Sequence, residues 1–140
     1  MKRYSIAIFL SAIMLISCHR QGAEIENVAL GYATAVGNYD FDAASPYVTE
    51  ETRAVTLTIF KRILTMTDTA YIRSNTPAEI KIKNVTLTSD STARVVYHKS
   101  TPITEQNDTL HLVHQQNRWL VDNVIELNPF MKMILATAEQ

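Results

Sequence analysis

The sequence predicts an α+β fold: N-terminal helices packed on one face of a curved, four-stranded antiparallel meander, with a short C-terminal helix. Two observations carry that expectation. Apolar residues recur at helical spacing up to about Thr67. From Glu79 onward the period falls to two, and turn-forming residues separate the runs.

Ile25, Val28, Ala29, Tyr32, Ala33 and Val36 share one face of a first helix. Glu24 and Glu26 lie at its start, where the helix dipole favours negative charge. Gly37-Asn38 should end it, either residue being able to take a left-handed cap. Asp40 or Asp42 can cap a short second helix through Phe41, Ala43 and Ala44, which Pro46 limits. Thr49 then caps a third helix running to about Thr67, with Glu50 and Glu51 in its first turn. Four threonines (Thr52, Thr56, Thr58 and Thr65) lower its intrinsic propensity, so packing must hold it. Residues 68–78 read as a loop, with Asp68, Ser74-Asn75 and Pro77 as breakers.

In the β half, Ile80 and Ile82 are out of phase with Val85 and Leu87, so a bulge at Lys83-Asn84 is expected. Ser89-Asp90-Ser91 turns into Ala93, Val95 and Tyr97. A longer connection holds Pro102 and Gln106-Asn107-Asp108. Leu110 and Leu112 follow, and Gln116-Asn117 turns into Trp119, Val121 and Val124. Val96, Val113, Leu120 and Ile125 have the opposite parity, which makes the outer face apolar as well; homodimerisation through the sheet is one way to cover it. Pro129 fits the first position of a terminal helix with Phe130, Met133, Ile134 and Thr137 on one side. That helix should fold back over the sheet edge or the open end of the domain, or present its apolar side to a partner or lipid.

The N-terminus has a separate pattern. Lys2 and Arg3 precede an apolar run from Tyr4 to Ile16, and Leu15-Ile16-Ser17-Cys18 closes it. The run is too short for a spanning helix, which takes roughly 20 residues. This end resembles the lipobox of bacterial lipoproteins. The resemblance implies cleavage between Ser17 and Cys18, lipidation of Cys18, and a membrane as partner through that lipid. His19 after the cysteine leaves the family's outer-membrane route open. Cys18 is also the only cysteine, so no internal disulfide can form. The expected organisation is 1–17 signal peptide, 18–23 lipidated tether, 24–126 α+β domain and 127–140 terminal helix. Net charge is −1 for the whole chain and about −3 after cleavage. With no basic stripe, a nucleic-acid partner is not expected.

Val28-Ala29-Leu30-Gly31-Tyr32, Gly37-Asn38-Tyr39-Asp40-Phe41-Asp42-Ala43-Ala44 and Leu110-His111-Leu112-Val113 … Asn117-Arg118-Trp119-Leu120-Val121-Asp122 carry a second resemblance. Over residues 24–126 the chain resembles the nuclear-transport-factor-2-like superfamily, and among its members small bacterial lipoproteins without an assigned activity. The resemblance implies a cone closed by helices on one side and a wrapped sheet on the other, with a pocket at the wide end.

Candidate pocket residues are Tyr32, Tyr97 and Trp119, with His98, His114 and Asp122 as further polar candidates. Strand alternation sets Tyr97 against His98, and Trp119 against Asp122, so at most one of each pair can face the pocket. Tyr32 and Trp119 also read as core aromatics with a polar tip. His98, His111 and His114 lack the spacing of a metal set, so neither metal nor cofactor is expected. There is no Gly-x-Ser-x-Gly and no Gly-rich phosphate loop. Asp68-Thr69-Ala70, Asp90-Ser91-Thr92 and Asp108-Thr109-Leu110 resemble a bacterial O-glycosylation acceptor sequence. The leading expectation is a non-enzymatic module of the cell envelope that binds a small molecule or an envelope protein. The alternatives are an isomerase- or hydratase-type enzyme using Tyr32, Tyr97 or Asp122, and a structural accessory of an envelope complex.

Overall fold

The computed structural model describes the backbone from Tyr4 to Ala138 and side chains from Arg20 to Thr137. The side chains of Ser17 and Cys18, the expected cleavage and lipidation site, lie outside the described residues. Helix α1 spans Tyr4–Gly37, so residues 20–23 are helical where a tether was expected. Nothing in Arg20-Gln21-Gly22-Ala23 stops a helix; Gly22 costs only about 1 kcal/mol. A helical segment rises about 1.5 Å per residue, which holds the domain nearer residue 18 than an extended tether would. Among the described residues, no helix is long and apolar enough to cross a membrane.

Asp40 caps α2 (Phe41–Ala44), its carboxylate accepting from the Ala43 N–H at 2.9 Å. A 3₁₀ turn, Ser45–Tyr47, follows with Pro46 near its start. Helix α3 then runs as three continuous stretches: Glu50–Thr52, a π turn over Arg53–Leu57, and Thr58–Thr65. Thr49 is its N-cap, as expected, accepting from the Thr52 N–H at 3.2 Å. The stretch expected as loop holds another helix, α4 (Thr69–Ser74). Asp68 is its cap rather than a breaker, accepting from the Ala70 N–H at 2.8 Å. An aspartate both breaks and starts helices, and the preceding pattern does not separate the two.

Strands β1 (Glu79–Leu87), β2 (Thr92–Ser100), β3 (Glu105–Gln115) and β4 (Arg118–Val121) form an antiparallel sheet in that order. The register shifts between Ile82 and Asn84, so the bulge falls at Lys83. Gln116 and Asn117 take φ of 50° and 61°, the left-handed pair that a tight hairpin needs. Two boundaries differ from expectation. Gln106-Asn107-Asp108 pair with Lys99, His98 and Tyr97, in that order, inside β3 rather than in a connection, which also moves Asp108-Thr109-Leu110 into a strand. Strand β4 ends at Val121, so Val124 and Ile125 are outside the sheet.

The inner face buries Ala93, Val95, Tyr97, Leu110, Leu112, Trp119 and Val121 in one core with Ile25, Ala29, Tyr32 and Ala33 of α1. Each fully buried large apolar side chain contributes about 1.5–3 kcal/mol. Leu120, on the outer parity, is only 5% exposed in the single chain, so its burial needs no second copy. Gly31 is set by close approach: a Cβ there would meet the Tyr47 ring at 2.5 Å.

After β4 the chain lies along α3. The Thr52 hydroxyl accepts from the Asn123 N–H at 3.0 Å, and that of Thr56 from the Ile125 N–H at 3.1 Å. Thr56 also donates to the Asn123 carbonyl at 2.9 Å. Both threonines are fully buried. The residues that weaken the helix are thus the ones that hold the tail. The terminal helix α5 (Pro129–Ala138) is opened by Asn128, whose side chain accepts from the Met131 N–H at 2.9 Å. It packs on α3 rather than on the sheet edge or the cone mouth. Ile134 is buried there, while Phe130 and Met133 stay more than half exposed.

Candidate functional site

The site begins where α1 stops. The Asp40 N–H bonds the Ala35 carbonyl at 2.9 Å and the Tyr39 N–H bonds that of Val36 at 3.1 Å, the paired ends of a Schellman motif. The left-handed residue is Tyr39, at φ 61°, and not Gly37 or Asn38 as expected. Gly37 is instead required by packing, since a Cβ there would lie 2.9 Å from the Ala78 Cβ. Asn38 accepts from the Ala78 N–H at 2.9 Å and donates to the Thr34 carbonyl at 2.8 Å, pinning the helix end to the start of β1.

Tyr39 is thereby turned toward Phe41, the two rings meeting edge to face at 6.5 Å and 88°. Phe41 packs in turn on Phe60, at 5.5 Å. With Val36, Ile63, Leu64 and Thr67 these rings wall a cavity of about 270 Å³ that Lys99 closes at the end of β2. Lys99 pairs with Ile80 and Gln106 in the sheet and is half-buried. Burial raises the Tyr39 phenol above its ordinary pKa, and Tyr71 adds to this. Sequence reasoning missed this pocket: none of Val36, Tyr39, Phe41, Phe60 and Lys99, which line it, is among the candidate pocket residues that the sequence offers.

Of the residues expected in a pocket, the structure brings Tyr32 and Tyr97 together. Burial raises both phenols, Tyr97 strongly, and the Asp108 carboxylate pushes both further. Asn123 works against the shift at Tyr32. The Tyr97 hydroxyl stands 3.5 Å from the Asp108 carboxylate, long for such a bond. Held well above neutral, these phenols can donate protons in hydrogen bonds but cannot act as bases. His98 points the other way and meets Asn107 at 3.0 Å.

Trp119 is not at a pocket wall: it is 1% exposed, and its ring lies 5.3 Å from that of His114. Asp122 is drawn to α3, where the Thr49 hydroxyl lies 3.1 Å from its carboxylate. Among the described residues, no three His, Cys, Asp or Glu side chains are grouped closely enough to hold a metal ion.

No family model and no curated protein matches the chain. Two solved structures do. A protein from Shewanella oneidensis MR-1, described as NTF-2-like and of unknown function, shares 19% identity over 71% of this chain and 92% of its own, with a TM-score of 0.51. A protein from Campylobacter jejuni, described as an NTF2-like transpeptidase, shares 14% identity over 72% of this chain and 97% of its own, with a TM-score of 0.54. The fold is NTF2-like. In this NTF2-like domain the pocket opens where the last turns of α1 and α3 meet the end of β2, and the Tyr32–Tyr97 pair lies on the neighbouring inner face.

Proposed function

We propose that this chain is a lipid-anchored, non-enzymatic binding module of the bacterial cell envelope whose pocket takes a small apolar molecule. The observation that carries the binding reading is the aromatic-walled cavity beside Lys99. Ligand sites are mostly apolar hollows with a few placed polar groups. Of the two hydroxyl-bearing residues in its wall, Thr67 donates to the Ile63 carbonyl at 2.8 Å and the Tyr39 phenol is raised further above neutral by burial; no His, Asp or Glu lines the cavity beside either to make it a nucleophile. The anchor rests on Lys2, Arg3 and the Leu15–Cys18 pattern.

Two experiments test the two halves. Hexanol should bind the parent with a Kd on the order of 1 mM, from about five buried methylenes at about 0.8 kcal/mol each. Phe60→Trp should fill the cavity and weaken that binding at least about tenfold, by calorimetric titration; equal binding by parent and variant counts against the pocket. For the anchor, a fatty-acid probe fed to cells should label the parent and not Cys18→Ser. Recovery of an unlabelled parent defeats that half of the reading.

A second reading, an isomerase- or hydratase-type enzyme, is favoured by one observation: two raised phenols and the Asp108 carboxylate converge inside the sheet. Such an enzyme would use Tyr97 as a proton donor, and Tyr97→Phe would abolish turnover while leaving hexanol binding unchanged.

A further inference from the structure

We propose that the pocket between α1, α3 and β2 selects small amphipathic monocarboxylates, with Lys99 holding the acid group at the rim and the alkyl chain lying against Phe41 and Phe60. This rests on the binding reading above and names its ligand class. The first argument is charge. Among the described residues the ion pairs are Arg53–Glu50, Lys61–Asp42 and Lys81–Glu79. Lys61 and Lys81, both more exposed than Lys99, have carboxylate partners; Lys99 is in none of these pairs. No carboxylate lines the cavity, so half-buried Lys99 supplies the one charged side chain of a wall whose other polar groups are the Tyr39 and Thr67 hydroxyls. An anion arriving there gains a charge-assisted hydrogen bond that an alcohol or amine cannot match.

The second argument is size. At about 30 Å³ per water-sized group, a cavity of about 270 Å³ takes roughly nine non-hydrogen atoms. That admits hexanoate, with eight, and is too small to enclose a two-chain lipid. The third is strain. A left-handed aromatic residue is disfavoured and persists only where its surroundings hold it. Tyr39 is held at φ 61° by the Schellman bonds, and this conformation sets its ring on the cavity wall beside Phe41.

The test is calorimetric titration of the full chain in lipid nanodiscs with hexanoate, hexanol and hexylamine, empty discs being subtracted. Hexanoate should bind at least about tenfold more tightly than hexanol, and hexylamine most weakly. Lys99→Met should bring hexanoate to the level of hexanol at an unchanged unfolding midpoint, and Lys99→Arg should retain the preference. Equal binding of hexanoate and hexanol by the parent, or a preference that survives in Lys99→Met, overturns the ligand class and leaves the binding reading standing. Binding of none of the three overturns both.

Discussion

Trp119→Ala is expected to lower the unfolding free energy by about 3–5 kcal/mol, the range for removing a fully buried large aromatic ring. Trp119 is 1% exposed and belongs to the core cluster that joins α1 to β2, β3 and β4. Its backbone N–H also faces the Glu24 carboxylate at 3.4 Å, tying β4 to the start of the domain's packed helix. A cavity there cannot close by the movement of one side chain, because the neighbours come from different elements. With a total stability of roughly 5–15 kcal/mol and a single cysteine, the chain has no cross-link to absorb such a loss. Urea unfolding of parent and variant measures it. Trp119→Phe keeps an aromatic ring and should cost less. A loss below 1 kcal/mol for the alanine variant would mean that the ring is not part of the core, and would reopen its role as a ligand contact.

The same residue shows what sequence can and cannot reveal about this molecule. Periodicity places Trp119 on the inner face together with Val121, Leu112 and Tyr97, and the structure agrees, because alternation along a strand is a local property. The bulge at Lys83 was legible for the same reason: a one-residue slip in the apolar phase has one local remedy. Whether an inward residue meets a ligand or other side chains depends on what other elements bring to it. Trp119 and Tyr32 read alike in sequence. Both are buried in the core, but Tyr32 also has the Asn123 side chain close by, from a segment that periodicity assigns to the end of β4. The pocket was hidden for a related reason. Its wall takes Tyr39 from a helix cap, Phe60 from mid-helix and Lys99 from a strand end, and no single window of sequence contains that combination. The best available signal was Tyr39 itself, an aromatic residue two positions after the glycine expected to end α1. It is the stopping bonds of the helix, not glycine's freedom, that set its direction.

The tail offers the second large effect. In a Thr52→Val, Thr56→Val double variant the side-chain shapes are kept and both hydroxyls are lost. The N–H groups of Asn123 and Ile125 then lose their acceptors, and the Asn123 carbonyl loses its donor. Each buried group left unpaired costs about 1–3 kcal/mol. The tail can reduce that cost by lifting into water, so the two losses will not add, as is usual for groups that share one partner segment. A combined loss of about 2–4 kcal/mol is expected, with amide exchange accelerated throughout residues 122–128 and in α5. Thr65→Val is the control: its exposed hydroxyl bonds only the Arg62 carbonyl, and a change within about 0.5 kcal/mol is expected. Unchanged tail protection in the double variant would show that Ile134 and its packing on α3 hold the tail, and that the threonines merely accompany it. If the hydroxyls do hold it, the effect should extend inward, since Asn123 is the residue that opposes the pKa rise at Tyr32. Ring resonances of Tyr32 should then broaden in the double variant, whereas those of Trp119, packed against the sheet, should not.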